Sequence, residues 1–327
     1  MNSIAKIEGR NYALDFVRFV MAFLVVAIHV PCFGGGYLMP VARCAVPFFY
    51  IVSGYFLWKD SKVDFKMNCI RNAKKWLKLY IVSALILSTA AVAIKTIYTQ
   101  PIADFSWQQV CWLCFNGVYP SLERIELFGN TFGTSVVWFL YAGMIAFVFA
   151  SILHKYIKRI LFVIWCIILI MLSIVINRIY DGVLVPRLLS ASIPFVLIGA
   201  WLRCHWNVFE NQFSFIKLLI AVVVLLMVGG VEMKFFDGYK EMVFCTPFLS
   251  IVLFLAALKS PYKFGFISHF PVKSTFDVYI YHRLMFLLLV IVGWNHASGL
   301  SAAVVYAVCM VISIGIRKII AVKKYER

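Results

Sequence analysis

Residues 14–30 read LDFVRFVMAFLVVAIHV, and this stretch decides how the rest of the chain is interpreted. It is long and apolar enough to cross a bilayer, yet it contains Asp15, Arg18 and His29. A charged side chain near the bilayer centre costs from about 2.5 to above 10 kcal/mol. Residues placed at such a cost face the protein interior or a watery cavity, and they are candidates for a functional site.

The whole chain has the composition of a helical membrane protein. Of its 327 residues, 63% are hydrophobic and 14% are charged, and the mean hydropathy is +0.92. Soluble proteins have about 25% charged residues, so this chain has too few to cover a surface exposed to water. Its apolar runs continue over about 16–22 residues, the length of a transmembrane helix rather than of a barrel strand.

These runs predict an all-α membrane protein with about ten transmembrane helices, forming one polytopic domain over residues 1–327. The predicted spans lie near 11–33, 41–58, 79–99, 134–153, 160–176, 186–202, 216–231, 242–258, 274–293 and 300–320. With the N-terminus inside, 22 of the 31 Lys and Arg residues fall in inner segments. The positive-inside rule therefore predicts that both termini are cytoplasmic. The net charge of +17 is shared among six separate segments and does not indicate nucleic-acid binding.

The three polar residues of the first span share one face of the predicted helix. At about 100° per residue, Asp15, Arg18 and His29 fall within an arc of about 60°. Asp15 and Arg18 can form an ion pair, and a purely structural pair is one explanation of both. His29 lies about 16 Å further along the axis, where an interfacial structural role is the alternative to catalysis. A groove with a cation at one end and an imidazole at the other also suits acyl-coenzyme A, which has phosphates and a thioester at opposite ends.

Other candidate residues lie at the outer ends of predicted spans. Arg43 and Arg187 begin the second and sixth spans, where they can polarise a carbonyl or bind an acidic acceptor. Snorkelling to the interface is the alternative for both. Trp138 lies at the outer end of the fourth span, where an aromatic-belt role competes with sugar stacking. The nine cysteines show no metal-site spacing beyond Cys111-x-x-Cys114; a disulfide would also explain this pair, so no metal site is predicted.

A second polar cluster lies in the ninth predicted span and consists of Asp277, His282 and Arg283. Asp277 and His282 are about 140° apart on a helix, so they do not share a face. From the limits of the apolar run, we expect this cluster in the inner half of the membrane, near Arg18 rather than His29. A structural contact with the first helix competes with a direct chemical role.

Four stretches of the chain, in the same order, resemble the integral-membrane acyltransferase family 3. The first span has the R-x10-H arrangement of that family, formed by Arg18 and His29. The other stretches are RCAVPFFYIVSGYFL (43–57), RLLSASIPFVLIG (187–199) and STFDVYIYHRLMF (274–286). The resemblance covers about residues 10–320. In many members Pro follows the His of the late span, whereas here Arg283 follows His282.

The resemblance implies an enzyme of the bacterial inner membrane that transfers an acyl group, often acetyl, from cytoplasmic acyl-CoA to a hydroxyl of an envelope carbohydrate. No bound cofactor is expected, and the partners are the acyl-CoA donor, the envelope acceptor and the lipid bilayer. Members with a similar sequence in the second span also include membrane portions of enzymes linked to cell-wall peptide modification. The identity of the acceptor therefore stays open. A transporter or flippase for a small solute or glycan precursor is the alternative.

These residues, taken together with the resemblance, lead to a mechanistic hypothesis with roles for individual residues. His29 is expected to act as general base on the acceptor hydroxyl or as a transient acyl carrier. Arg18 is expected to bind the phosphates of the donor or to hold the groove open, and Asp15 is expected to position Arg18. Four further residues are expected to bind substrate: Arg43, Arg187, Trp138 and His282.

Overall fold

The computed structural model describes residues 11–98, 106, 126–127, 130–131, 137–179, 192–235, 243–260, 272–294 and 298–325. Within these ranges the chain forms twelve α-helices and one pair of two-residue antiparallel strands. The helices are α1 (Tyr12–His29), α2 (Gly35–Ala42), α3 (Ala45–Leu57), α4 (Lys62–Tyr98), α5 (Trp138–Ile157), α6 (Ile160–Ile179), α7 (Ile193–Cys204), α8 (Trp206–Gln212), α9 (Phe215–Phe235), α10 (Cys245–Lys259), α11 (Val272–Ile291) and α12 (Ser301–Tyr325). The strands are β1 (Glu126–Leu127) and β2 (Asn130–Thr131). The prediction of an essentially helical protein is confirmed.

Seven stretches of the described helices are long and apolar enough to cross a membrane: Tyr12–His29, Leu38–Leu57, Lys62–Ile94, Trp138–Ile157, Phe215–Phe235, Ser274–Ile291 and Ser301–Ile319. Three shorter apolar stretches lie at the other predicted positions: Ile160–Ile176, Ile193–Cys204 and Cys245–Lys259. Large apolar side chains such as Leu85, Trp165 and Met227 are exposed, as expected where helices face lipid. The chain is therefore a multi-pass membrane protein, while ten crossings, cytoplasmic termini and one polytopic domain stay predictions.

The second predicted span, near 41–58, differs from the observed structure because it is interrupted. α2 ends at Ala42 and α3 begins at Ala45, with Arg43 in the turn between them. Pro47 explains the interruption, since it has no N–H to bond to the carbonyl of residue 43, as a continuous helix would require. Arg43 thus lies at a break between two helices rather than on a helix face.

The third predicted span, near 79–99, forms only part of a longer helix. α4 has 37 residues and begins at Lys62, which corresponds to a length of about 55 Å against a hydrocarbon thickness of about 30 Å. Residues 62–78 of this helix include no Gly or Pro, so the helix continues through the basic segment that hydropathy assigns to an inner loop. Its basic side chains from Lys62 to Lys78 are exposed.

The chain divides into two compact units, one formed by Met1–Ala45 with Glu210–Arg327 and the other by Val46–Phe209. In the first unit, α1 packs on α2, α10, α11 and α12, and α9 packs on α10 and α2. In the second unit, α5 packs on α4, α6 and α7. All residues of the candidate site described below belong to the first unit.

Two glycines allow α3 and α7 of the second unit to approach closely. A Cβ added at Gly54 would overlap the backbone of Val196, and one added at Gly199 would overlap the backbone of Ile51. Small residues at such crossings are typical of membrane helices, because close packing replaces the hydrophobic driving force available in water. Tyr50 of α3 also donates a hydrogen bond of 2.7 Å to the carbonyl of Phe139 in α5.

We expect Gly54→Ala and Gly199→Ala each to lower the melting temperature of the detergent-solubilised protein. The added methyl group would meet backbone atoms that cannot move aside, and overpacking costs about 1–3 kcal/mol. Gly230→Ala in α9 is the matched control, because a Cβ there meets nothing within 4 Å. Thermal unfolding followed by circular dichroism measures all three, and unchanged melting temperatures for the α3 and α7 variants would contradict this packing.

Candidate active site

α1 presents two charged residues in its first two turns. The side chain of Asn11 caps the helix by accepting a hydrogen bond of 2.9 Å from the backbone N–H of Leu14. Nη1 of Arg18 lies 3.2 Å from Oδ1 of Asp15, and 7% of the Asp15 side chain and 21% of the Arg18 side chain are exposed. The predicted ion pair is therefore confirmed. Its role in binding a donor stays a prediction.

His29 ends the same helix and is held by a residue of α11. Nη2 of Arg283 lies 3.0 Å from Nδ1 of His29. Because a guanidinium has only donors, Nδ1 of His29 must accept this hydrogen bond. The neutral imidazole of His29 therefore carries its proton on Nε2.

His282 stacks on His29. The ring centroids are 5.4 Å apart, and the rings are inclined by 21°. His282 is completely buried, and its Nδ1 lies 2.8 Å from the carbonyl oxygen of Tyr279 and 3.2 Å from that of Val278. A carbonyl only accepts, so Nδ1 of His282 carries the proton and Nε2 has the free lone pair. Among the residues that the structure describes, no group forms a hydrogen bond with that Nε2.

The expected position of the second polar cluster was wrong. His282 and Arg283 contact His29, rather than lying near Arg18. The last residue of α1 meets the middle of α11, because the axial offset between neighbouring helices depends on side-chain packing and not on the limits of apolar runs. The predicted separation of faces is confirmed, since Asp277 is directed elsewhere.

Asp277 connects α11 to α12. Its Oδ2 accepts hydrogen bonds from Oγ of Ser313 at 2.5 Å and from Nε of Arg317 at 2.8 Å. Nη2 of Arg317 lies 2.6 Å from the same oxygen. Asp277 is thus a structural link between two helices.

Of the remaining residues singled out in the sequence, Arg43 and Trp138 are described by the structure, and the others are not. Arg43 belongs to the same unit as His29 and, with Arg283 and His282, is one of the basic groups near enough to act electrostatically on that imidazole. Trp138 is the first residue of α5, in the second unit. Arg187, Cys111 and Cys114 lie outside the described residues. In the described part of the chain, no group of three or more His, Cys, Asp or Glu residues could hold a metal ion.

Sequence reasoning missed Arg283 as the partner of His29. The available signal was an arginine inside an apolar span, directly after a histidine. A buried cation of this kind requires an acceptor. His29, at the outer end of the first span, was a polar residue to which the sequence assigned no partner. Pairing it with Arg283 required knowledge of which helices are neighbours.

The comparisons with known proteins assign the chain to a family. A family model described as an acyltransferase domain, that of acyltransferase family 3, matches residues 11–318. The chain belongs to this family. A serine/alanine racemase of Enterococcus gallinarum is 32% identical over 101 residues, which cover 27% of this chain and 14% of that protein. No solved structure matches the chain.

We expect Asp277→Asn to lower the free energy of unfolding, because it removes the charge that holds Arg317. A double-mutant cycle with Arg317→Gln should give a coupling energy of about 1 kcal/mol for this partly exposed pair. Equilibrium unfolding in detergent measures it, with the exposed neighbour Lys318→Gln as the matched control. Additive effects of the Asp277 and Arg317 changes would show that the pair contributes no coupling.

Proposed function

We propose that this protein transfers an acyl group, with acetyl as the first candidate, from cytoplasmic acyl-CoA to a hydroxyl of an envelope carbohydrate or related cell-surface acceptor. The observation that carries this proposal is that His29 of the R-x10-H pair contacts His282 and Arg283, two further polar residues of a membrane span. Membership of acyltransferase family 3 supplies the reaction class. The proposed location is the bacterial inner membrane, with both termini in the cytoplasm.

The donor end of the proposed site is the Asp15–Arg18 pair. Arg18 remains partly exposed even though it is paired, so its side chain is not closed off from a ligand. Asp15 is nearly buried and limits the positions that the Arg18 side chain can take. We assign Arg18 to the phosphates of coenzyme A and Asp15 to its positioning, since guanidinium groups bind phosphate through two parallel hydrogen bonds.

The reacting end of the proposed site is His29. It lies eleven residues after Arg18 on the same uninterrupted helix, about 16 Å along the axis. A pantetheine arm can place a thioester at such a distance from the phosphates. His29 is partly exposed, whereas His282 is enclosed, so substrate reaches the pair from the His29 side. Arg43 adds a cation that favours negative charge developing on a thioester oxygen.

The acceptor is proposed as a class only. A hydroxyl is the nucleophile that neutral imidazoles and cations at this site can activate and stabilise without a metal ion. Acid–base chemistry of this kind is the same for a sugar hydroxyl and for any other alcohol at the cell surface. Substrate binding by Arg187 and Trp138 stays a prediction from the sequence.

The test is coenzyme A release from radiolabelled acetyl-CoA by the detergent-purified protein, with envelope membranes as acceptor and the label traced in the glycan fraction. His29→Ala should lower transfer at least about 100-fold. Arg18→Ala should raise the KM for acetyl-CoA by about 10-fold or more, because it removes a charged contact to the donor. Lys217→Ala, at an exposed position, is the control and should transfer normally.

Two outcomes would reject this function. If wild type and all variants release no coenzyme A with several short acyl-CoAs and envelope acceptors, although each protein is folded, transport becomes the better explanation. If wild type releases coenzyme A and His29→Ala retains full transfer, the reaction does not take place at this site.

A further inference from the structure

We propose that His282, rather than His29, accepts the proton of the attacking hydroxyl, while His29 donates a hydrogen bond to the thioester oxygen. This assignment rests on the acyl-transfer function proposed above and divides its chemistry between the two stacked imidazoles. It is carried by the opposite hydrogen-bonding states of their Nε2 atoms, which follow from the partners of the two Nδ1 atoms.

His29 is poorly arranged to take up a proton or an acyl group. Its Nδ1 lone pair is occupied by the guanidinium of Arg283 at 3.0 Å, and its Nε2 already carries the proton of the neutral ring. An added proton or acyl group would make the ring a cation directly beside Arg283, and like charges at that distance repel strongly. The same geometry makes His29 a good donor, because Arg283 draws electron density from the ring and holds Nε2–H in place.

His282 has the opposite arrangement. Its Nδ1–H is directed to the carbonyl of Tyr279 at 2.8 Å, which sets the tautomer and orients the ring, as the partner of a catalytic base usually does. That hydrogen bond is retained when Nε2 is protonated, so proton uptake disturbs no existing contact. Nε2 is fully buried and, within the described ranges, accepts no hydrogen bond. Buried polar atoms in that state are uncommon and often have a functional reason, and an entering hydroxyl would supply the missing donor.

The stacked rings can serve one reaction centre. The ring centroids are 5.4 Å apart, close enough for both imidazoles to act on one thioester and one hydroxyl. Because His282 is completely buried, the proposal requires the side chains that enclose its Nε2 to move aside when the hydroxyl enters. The hydroxyl oxygen bonds to the thioester carbon as its proton passes to Nε2 of His282. The carbonyl oxygen, now carrying negative charge, is stabilised by Nε2–H of His29. The carbon–sulfur bond then breaks, and the sulfur leaves with the proton returned by His282. The products are the ester and the thiol of coenzyme A, and both rings are neutral again.

Glutamine substitutions distinguish a donor from a base. The side-chain amide of Gln reaches about the position of Nε2 and can donate a hydrogen bond, but it cannot accept a proton at neutral pH. We expect His29→Gln to retain transfer within about 10-fold of wild type, against a loss of at least about 100-fold for His29→Ala. His282→Gln and His282→Ala should both lose about 100-fold or more, because each removes the base.

The assay is the same acetyl-CoA transfer measurement, with melting temperature in detergent as a check on folding. His205→Gln is the matched control, since Nδ1 of His205 also contacts the carbonyl four residues earlier, that of Trp201, at 3.1 Å, and it lies in the second unit. It should transfer normally. The acid limb of the pH–rate profile should persist in His29→Gln and vanish in the residual activity of His282→Gln.

The outcomes separate this inference from the proposed function. Transfer by wild type with the reverse pattern, in which His282→Gln is active and His29→Gln is as inactive as His29→Ala, would make His29 the base and overturn the inference alone. Radiolabel trapped covalently on His29 would also overturn it. Failure of the wild type to transfer any acyl group would reject the proposed function itself.

Discussion

The hydrogen bond from Arg283 to Nδ1 of His29 is the interaction on which the candidate site depends. A guanidinium within a membrane span is tolerated only when it has partners or access to water. Here it brings α1 and α11 together and determines which nitrogen of His29 carries a proton. It also keeps a positive charge next to the two stacked rings. The side chain of Arg283 therefore both holds α1 against α11 and makes the two stacked imidazoles chemically different.

Other polar contacts hold the neighbouring helices in the register that the stacked rings require. Asp277 binds Arg317 and Ser313 of α12, and the hydroxyl of Tyr306 in α12 donates a bond of 3.0 Å to the carbonyl of Phe19 in α1. Hydrogen bonds between membrane helices contribute about 0.6 kcal/mol each on average. Their individual energies are small, but each has a direction, and together they restrict sliding of one helix along another.

Much of this arrangement was predictable, because it depends on local pattern. Helices follow from apolar runs, and the Asp15–Arg18 pair follows from a spacing of three residues on one helix. The break at Arg43 could have been predicted from Pro47, whose missing N–H acts within four residues. In contrast, the contact of His29 with Arg283 joins residues 254 positions apart. Hydropathy cannot predict such contacts, since it contains no information on which helices are neighbours or on their axial offset. The long α4 was missed for the related reason that basic residues end an apolar run without ending a helix.

The carbonyl of Tyr279 is shared in this chain. In a regular helix it accepts the backbone N–H of residue 283, and here it also accepts Nδ1–H of His282. A proline at position 283 would release this carbonyl entirely to the histidine, since proline has no N–H. It would also remove the guanidinium and leave Nδ1 of His29 without its donor. The two residue types at position 283 therefore have different effects. Proline would strengthen the hydrogen bond that orients His282, whereas arginine orients His29. On the proposed assignment, the residue at position 283 determines which ring accepts the proton and which ring donates a hydrogen bond to the thioester oxygen.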